Sequence, residues 1–547
     1  MLPTAEYKNE NEILVKFPYN QVTLTRFKEG MPLRTWSPED KGWLTHPDYL
    51  PLVGDLFPGL QIDDECRKHW VSIDWVKKHS RLDDDFADAD DMGGTLMPFQ
   101  EAGVTFIEGR RGRCIVGDEM GLGKTVQAAA YIHRHPESRP AIVVCPASVK
   151  LNWQRELEEW IKPTPVVRVL NGTKGHILSK SDTDIFVMNY EIMAGWKPYL
   201  LDLSPQVLIY DEAHYLKSPK SNRSKAAKQL SEVIPYVLLL TGTPMINRPD
   251  ELWNLLNTVQ PAKYPNFFSF AHRYCAAKQK PIYVKGGRRK TVWDFSGASN
   301  IPELANDLRT VMLRRTKAEV LKDLPAKTRS LVPIHMPRAT YLKAVEAVED
   351  ELVEAHGEVL VAVAIEKLKQ EVANFKIKKA IEWIEDFLES DQSLVVFFTH
   401  RIIGKKLHEH FKKQSVIVMG DTPQWARQEY VDQFQAGKVR LFLGNVKAAG
   451  VGLTLTAASN VAFLELGWTP GEMVQAEDRV HRIGQKDAVN AWYLMCENTI
   501  EDWLFKKLES KSRILSAVLE GEQVDTVFDK ATLLREAKEF ILNDKRS

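Results

Sequence analysis

The sequence predicts an α/β chain: two parallel-sheet lobes with helical insertions, preceded by a small α+β N-terminal domain. Three observations predict it. Apolar, β-branched runs alternate with polar, helix-patterned segments, the signature of a parallel sheet covered on both faces. That alternation occurs twice, with Lys/Glu-rich helical stretches between the two series. The first 60 residues show short strand and turn signals among aromatic side chains instead.

Taken in order, residues 1–82 form the N-terminal domain, in which ILVKFPYN reads as a strand ending at Pro18. A hairpin follows, Arg34–Trp36 and Gly42–Leu44 about a Ser-Pro-Glu-Asp turn. Two readings of Trp36 and Trp43 stand side by side: a cross-strand pair holding a tiny core, and an aromatic face that stacks on bases beside Lys16, Arg26, Lys28, Arg34 and Lys41. Residues 83–92 are acidic and poor in apolar side chains, so they read as a linker.

The first lobe spans 93–328, with a helical insertion at about 245–325. Its expected strands are Cys114–Val116, AIVVC (141–145), VVRVL (166–170), DIFVMN (184–189), QVLIYD (206–211) and YVLLLTG (236–242). Within the insertion, residues 281–295 read as a hairpin with a basic tip at Lys285, Arg288, Arg289 and Lys290, either a solvated turn or a DNA-backbone contact. The second lobe spans 329–498, with an insertion at about 338–390 that holds two long helix patterns. Its strands are SLVVFFTH (393–400), SVIVMG (415–420), VRLFLGN (439–445), NVAFLEL (460–466) and VNAWYLM (489–495). Residues 499–519 pattern as one amphipathic helix N-capped by Thr499, and the charged tail to 547 reads as partly disordered.

Composition bounds the function. The chain has 547 residues, with 73 Lys and Arg balancing 73 Asp and Glu, so any nucleic-acid surface must be local rather than a property of the whole. Five scattered cysteines without a C-x-x-C pair argue against a disulfide framework or a zinc site. No segment approaches 18 continuous apolar residues and the first residues lack an apolar signal core, so neither membrane insertion nor secretion is expected.

The chemistry concentrates at strand ends, where parallel sheets hold their ligands. Residues 114–127 read CIVGDEMGLGKTVQ: strand, glycine turn, helix. Glycine lets several N–H groups converge on one anion, and the helix N-terminus adds positive potential. Gly121 and Gly123 shape this phosphate-binding loop, Lys124 reaches the β- and γ-phosphates of ATP, and the Thr125 hydroxyl ligates Mg²⁺. Asp118 stands where the first loop glycine is usual. Upstream, Gln100 carries both a donor and an acceptor suited to an adenine edge, or is a plain surface glutamine. After QVLIY, Asp211 holds Mg²⁺ and Glu212 polarises the attacking water. After YVLLL, the Thr241–Thr243 hydroxyls are placed to bond to the Asp-Glu-Ala-His segment. After AIVVC, Ser148 and Lys150 suit a phosphodiester backbone. In the second lobe, Gln475, Arg479 and Arg482 are spaced to share a helix face; with Glu477 and Asp478 beside them they form either an internal salt-bridge network or arginine fingers for a γ-phosphate.

The ordered set DEMGLGKT, DEAH, LTGTP, AAGVGLTLTAAS and QAEDRVHRIGQ resembles the Swi/Snf-type ATPases of helicase superfamily two, over roughly residues 93–510. LMPFQEAGVTF, FAHRYCAA, WDFSGASN, MLRRTKAEVL and LPAKTR are similar to its annealing-helicase (HARP-type) branch, and the unit at 13–60 resembles the small HARP domain that precedes that motor. The resemblance implies RecA-like lobes and a monomeric motor that tracks double-stranded DNA by its backbone and is stimulated by branched DNA. It implies adenine contact by Gln100, finger roles for Arg482 and Arg479, and DNA contact or coupling at Lys150, Thr241, Gly450 and Thr454. It also implies a cytoplasmic, nucleoid or nuclear location, depending on the source. A strand-separating DNA or RNA helicase, and a non-enzymatic DNA-binding scaffold, are the rival readings.

Overall fold

The computed structural model describes residues 2–81, 91–176, 183–245, 248–284, 288–355, 357–450, 452–520, 522 and 530–544. Residues 83–90 of the linker expected at 83–92, and Lys285 of the hairpin tip, lie outside the described residues, as does the side chain of Arg288. The chain forms two compact units, the first holding the N-terminal domain and the first lobe to Val320 except Met120–Leu122, the second running mainly from Leu321.

The N-terminal domain is a five-stranded sheet of β1 (Thr4–Asn9), β2 (Glu12–Lys16), β3 (Thr35–Ser37), β4 (Gly42–Thr45) and β5 (Gln61–Ile62), in the order β3-β4-β2-β1-β5. Three helices complete it: α1 (Gln21–Gly30), α2 (Leu50–Leu56) and α3 (Asp64–His79). Asn20 caps α1 by accepting from the N–H groups of Val22 and Thr23, and Asp63 caps α3 through Cys66 N–H. Ile13 and Val15 pack with Phe27, Leu50, Val53 and Phe57 into a small core. Trp36 and Trp43 are a register pair with ring centroids 5.2 Å apart, and Trp36 stays 47% exposed, so the cross-strand pair also presents an aromatic face.

This domain is welded to the first lobe by buried charge. Asp48, just before α2, takes His69 Nε2 at 3.1 Å, Gln260 Nε2 at 3.3 Å and Lys263 Nζ at 3.5 Å. Lys263, itself fully buried, also bonds Asp307 at 2.7 Å and Thr310 at 2.9 Å. Burial pushes the Asp48 carboxyl up, but Lys263 and Arg110 outweigh it and hold it well below the usual range. Arg273 adds bonds to the carbonyls of Glu29 and Gly30, at 2.8 and 2.7 Å.

The first lobe contains β6 (Arg113–Val116), β7 (Ala141–Cys145), β8 (Val167–Val169), β9 (Ile185–Asn189), β10 (Val207–Asp211) and β11 (Tyr236–Leu240). The insertion carries an antiparallel hairpin, β12 (Lys278–Val284) and β13 (Arg288–Asp294). It then returns as a two-residue strand, β14 (Met312–Leu313), which pairs with β6 at the sheet edge. The parallel order is β14-β6-β11-β10-β7-β9-β8. The helices that matter for the site are α4 (Pro98–Gly109), α5 (Lys124–Arg134) and α6 (Lys150–Trp160). Gly109 closes α4 against the N-terminal domain, for a Cβ there would meet the Trp75 ring at 2.1 Å.

The second sheet runs β15 (Lys327–Ile334), β20 (Val489–Cys496), β19 (Asn460–Phe463), β16 (Leu394–Phe398), β18 (Leu441–Asn445), β17 (Ser415–Val418), all parallel. β15 carries too many exposed polar residues to announce itself in the sequence. The two long helices of this insertion are Arg338–Glu354 and Glu358–Leu388. Thr499 Oγ1 accepts from Glu501 N–H at 3.2 Å at the start of helix Ile500–Glu520. Within the tail expected to be partly disordered, Lys530–Asp544 is a helix, because Leu533, Leu534, Ala537 and Ile541 form an apolar stripe buried in the second core; residues 521, 523–529 and 545–547 lie outside the described residues. No helix among the described residues is long and apolar enough to cross a membrane.

Candidate active site

The loop between β6 and α5 has the geometry of an anion cradle. Gly121 and Gly123 sit at φ +86° and +75°, where a side chain is strained. At Gly123 a Cβ would also lie 2.3 Å from Gln100 Nε2, so glycine is needed there twice over. Lys124 opens α5 and its Nζ donates to the carbonyls of Asp118 at 2.8 Å and Glu119 at 3.1 Å. Burial pushes this ammonium below the usual lysine range, against the pull of Glu212, Asp118 and Asp211. Thr125 is the next residue, half-buried in the first turn of α5.

Asp118 takes a different part from the one the motif gave it. Its carboxylate is fully buried and belongs to Arg315: Nη2 at 2.5 Å and Nε at 3.1 Å, with the Arg315 backbone N–H at 3.1 Å and Gln127 Nε2 at 3.1 Å. It braces the loop from behind, and only its backbone carbonyl faces Lys124. Arg315 continues to the carbonyl of Phe99 at the start of α4. Its neighbour Arg314 bonds the carbonyls of Gly117 at 2.5 Å and Gly242 at 3.1 Å, tying the loop to the strand end of β11. The sequence reading missed Arg314, Arg315 and Gln127. The available signal was a buried-looking aspartate in place of glycine, which demands a cation partner.

Gln100 is 5% exposed, so the surface-glutamine reading fails. Its Oε1 accepts from Met97 N–H at 2.9 Å, capping its own helix, while Nε2 lies against Gly123.

Asp211 and Glu212 end β10 beside the loop. Asp211 Oδ2 accepts from the Trp153 indole at 2.8 Å and Oδ1 from Glu212 N–H at 2.9 Å. Burial first, and the Glu212 charge second, push the Asp211 carboxyl up to about 6; Trp153 and Lys124 oppose this. Glu212 adopts the left-handed conformation, φ 51°, and its Oε2 lies 3.2 Å from His214 Nδ1. Tyr190 donates to the Asp211 carbonyl at 2.7 Å. Trp153 and Tyr190 are positioning residues that the sequence did not single out for this carboxylate.

Two nucleic-acid expectations in this lobe need correction. Thr241 is fully buried, and its hydroxyl accepts from Thr243 N–H at 3.2 Å; Thr243 is the residue that approaches the motif, 3.5 Å from His214. Lys150 is 6% exposed because Nζ is held by the Leu170 carbonyl at 3.0 Å and Asn171 at 2.6 Å. Ser148 remains partly exposed beside it.

In the second unit the helix expected to carry Gln475, Arg479 and Arg482 spans Pro470–Glu477 only. The two arginines therefore lie beyond its end and do not share its face. Arg479 is 8% exposed and is a brace, with Nε on the Gln475 carbonyl at 3.0 Å and Nη1 on the Leu453 carbonyl at 3.3 Å. Arg482 is half-buried and takes Thr454 Oγ1 at 2.9 Å, so Thr454 orients the finger candidate. Gly450 is buried in a turn where a Cβ would meet the Val446 carbonyl at 2.2 Å, which places it under the loop rather than on a surface. Glu477 and Asp478 pair with β15: Arg329 Nε and Lys327 Nζ reach Glu477 at 2.7 and 2.8 Å, and Lys327 reaches Asp478 at 3.5 Å. At the ends of β16 and β19, the His400 ring is held between Glu465 on Nδ1 and Glu366, 3.3 Å from Nε2. Burial pushes that imidazole down, but the two carboxylates prevail and raise it to about 9.

The residues fit a nucleotide with a divalent cation. The φ-positive glycines and desolvated Lys124 suit a polyphosphate, and the raised Asp211 carboxyl marks a site built for a counter-charge. No group of three or more His, Cys, Asp or Glu among the described residues is arranged to hold a metal.

Comparison with known proteins agrees with this arrangement. The SNF2-related domain matches residues 99–378, and the helicase conserved C-terminal domain matches residues 376–484. A SWI/SNF-related matrix-associated actin-dependent regulator of chromatin subfamily A-like protein 1 from Xenopus tropicalis is 36% identical over 78% of this chain and 45% of its own length. The DNA annealing helicase and endonuclease ZRANB3 of Mus musculus is 36% identical over 78% and 41%. The chain thus spans less than half of either relative. A Caenorhabditis elegans homolog of the first is 31% identical over 94% of this chain and 76% of its own length. With the motifs, the two parallel sheets and these matches together, the chain belongs to the SNF2-related family.

Proposed function

We propose that this protein is an ATP-dependent double-stranded DNA translocase that remodels branched DNA, by strand annealing or fork regression, in repair, replication or recombination. It is an enzyme, a DNA-dependent ATPase. The observation that carries the reading is the first-lobe site itself: a glycine cradle with Lys124, next to an Asp211–Glu212 pair whose geometry is fixed from three sides by Trp153, Tyr190 and the Glu212 backbone. Gln100 contacts the base and Lys124 the β- and γ-phosphates; Thr125 and Asp211 would hold Mg²⁺, which when bound would neutralise charge on the phosphates. Glu212 orients the attacking water and takes its proton. Arg482, oriented by Thr454, serves as the arginine finger, and Arg479 keeps its loop in place.

Relatives named as DNA annealing helicases support the strand-annealing part of this reading. The exposed Trp36, with Trp43 behind it, makes the N-terminal domain the part that biases the motor toward such junctions. The test is ATP hydrolysis at one salt concentration with no nucleic acid, single-stranded DNA, duplex DNA, forked DNA and duplex RNA. Stimulation by duplex, and most by forks, is expected. Stimulation by single strands or RNA alone would replace this reading with a strand-separating helicase, and no hydrolysis under any condition would leave a DNA-binding scaffold.

A further inference from the structure

The motor assignment leaves the hairpin β12–β13 unexplained. Residues 278–294 hold six basic side chains against one acid, in a chain that is neutral overall. Lys278, Lys280, Arg289 and Lys290 are exposed. Register sets Lys278 opposite Asp294, Lys280 opposite Val292 and Lys290 opposite Ile282, so the three lysines share one face of the ribbon. The charge is real on that face: Lys278 and Lys280 both help to depress the Asp294 carboxyl, after the Ser296 hydroxyl that bonds it. Arg289 lies on the opposite face with Trp293, which is 40% exposed.

Two strands alone are marginal in water. This ribbon is anchored at its base, where Phe267, Phe268 and Phe295 pack edge-to-face and Trp293 lies over Phe295 with centroids 6.3 Å apart. Beyond that anchor its described side chains cover no core. Lysine and proline on free edges also guard against strand pairing, and Pro281 fits that use. A guard needs no arginine on the second face. Exposed cations on both faces of the ribbon complement a polyanion that presents phosphates.

We propose that β12–β13 is a second DNA-binding element, which grips the phosphate backbone of duplex DNA through Lys278, Lys280, Arg289 and Lys290. The inference rests on the proposed function in taking DNA as the polyanion. The ribbon contributes affinity and hold, not chemistry, because no residue of the nucleotide site lies on it.

The test combines Lys278→Ala, Lys280→Ala, Arg289→Ala and Lys290→Ala in the full chain and measures duplex binding by fluorescence anisotropy across a salt series, with ATP hydrolysis measured separately. Hydrolysis without DNA is expected to be unchanged, binding to weaken roughly tenfold or more, and the salt slope to fall by about 2–4, near 0.9 for each phosphate contact removed. A companion variant with the three lysines changed to arginine is expected to bind like the wild type. Unchanged affinity and slope would overturn the proposal, as would loss confined to duplex RNA. Aggregation with unchanged affinity in the soluble fraction would make the residues edge guards and equally overturn it. If wild-type hydrolysis proves indifferent to DNA, the translocase reading fails, and the anisotropy comparison still decides the ribbon.

Discussion

Arg315 closes a fully buried ion pair with Asp118, Nη2 to Oδ2 at 2.5 Å, across 197 residues of sequence. One guanidinium thereby fixes the first position of the nucleotide loop, the start of α4 and, at 3.4 Å, Gln127 of α5. Removing one partner strands a buried charge, which costs about 3–5 kcal/mol. Arg315→Met is therefore expected to destabilise the first unit by that amount, and Asp118→Leu likewise. The double variant is expected to lose less than the sum, with a coupling of about 1–3 kcal/mol in denaturant unfolding. Additive losses would mean the pair does not act as a unit.

Lys124→Ala is expected to abolish hydrolysis while leaving the unfolding midpoint and DNA affinity near wild type. Nζ contacts only loop carbonyls and its burial already opposes its charge, so its loss is tolerated by the fold. A collapse of secondary structure in circular dichroism would contradict the assigned role.

Trp153→Phe keeps the ring and deletes the donor to Asp211. A hydrogen bond to a charged group is worth about 1.5–3 kcal/mol, so kcat is expected to fall about 10- to 150-fold, with a smaller change in KM for ATP. An equal rise in KM with kcat intact would place the role in binding rather than in orienting the carboxylate.

The two arginines of the second unit separate by experiment. Arg482→Ala is expected to lower kcat by roughly 10³ or more with an unchanged melting temperature. Arg479→Ala is expected to lower the melting temperature as well, because it frees the Leu453 carbonyl from its guanidinium. Matching stability losses for both would assign Arg482 to structure.

His400 offers a pH signature. Its folded-state pKa of about 9 lies above the ordinary 6.5, so its stabilisation is complete below about 6.5 and disappears as pH rises through about 9. His400→Gln is expected to cost about 2 kcal/mol at pH 6, after allowance for partial exposure. The difference from wild type should vanish near pH 10. A deficit that persists at pH 10 would point to packing, not charge.

The repeating parallel strands and the nucleotide loop were legible in the sequence because each is local: apolar runs, and glycines at fixed offsets from Lys124. What the sequence hid was long-range or geometric. Arg315 lies far along the chain from the loop it braces, and β14, only two residues long, has no periodicity to detect. Lys150 and Thr241 bear the right chemistry for a surface, but their polar groups are already used inside the lobe. The arginine spacing suggested one helix face; the helix stops at Glu477, whose carboxylate is drawn to Arg329 and Lys327. The tail read as partly disordered from its composition, yet four apolar residues at helical spacing suffice to dock Lys530–Asp544.

The cluster around Asp48 bears on how this protein can be dissected. A chain shortened to begin at residue 91 would not be a bare motor. It would carry Lys263 and Arg110 without the Asp48 carboxylate they share, on a newly wetted face, and Gly109 with nothing seated against it. Loss of activity after such a truncation reports a wounded lobe as much as a missing domain, whereas surface changes at Trp36 remove the aromatic face and leave the joint whole.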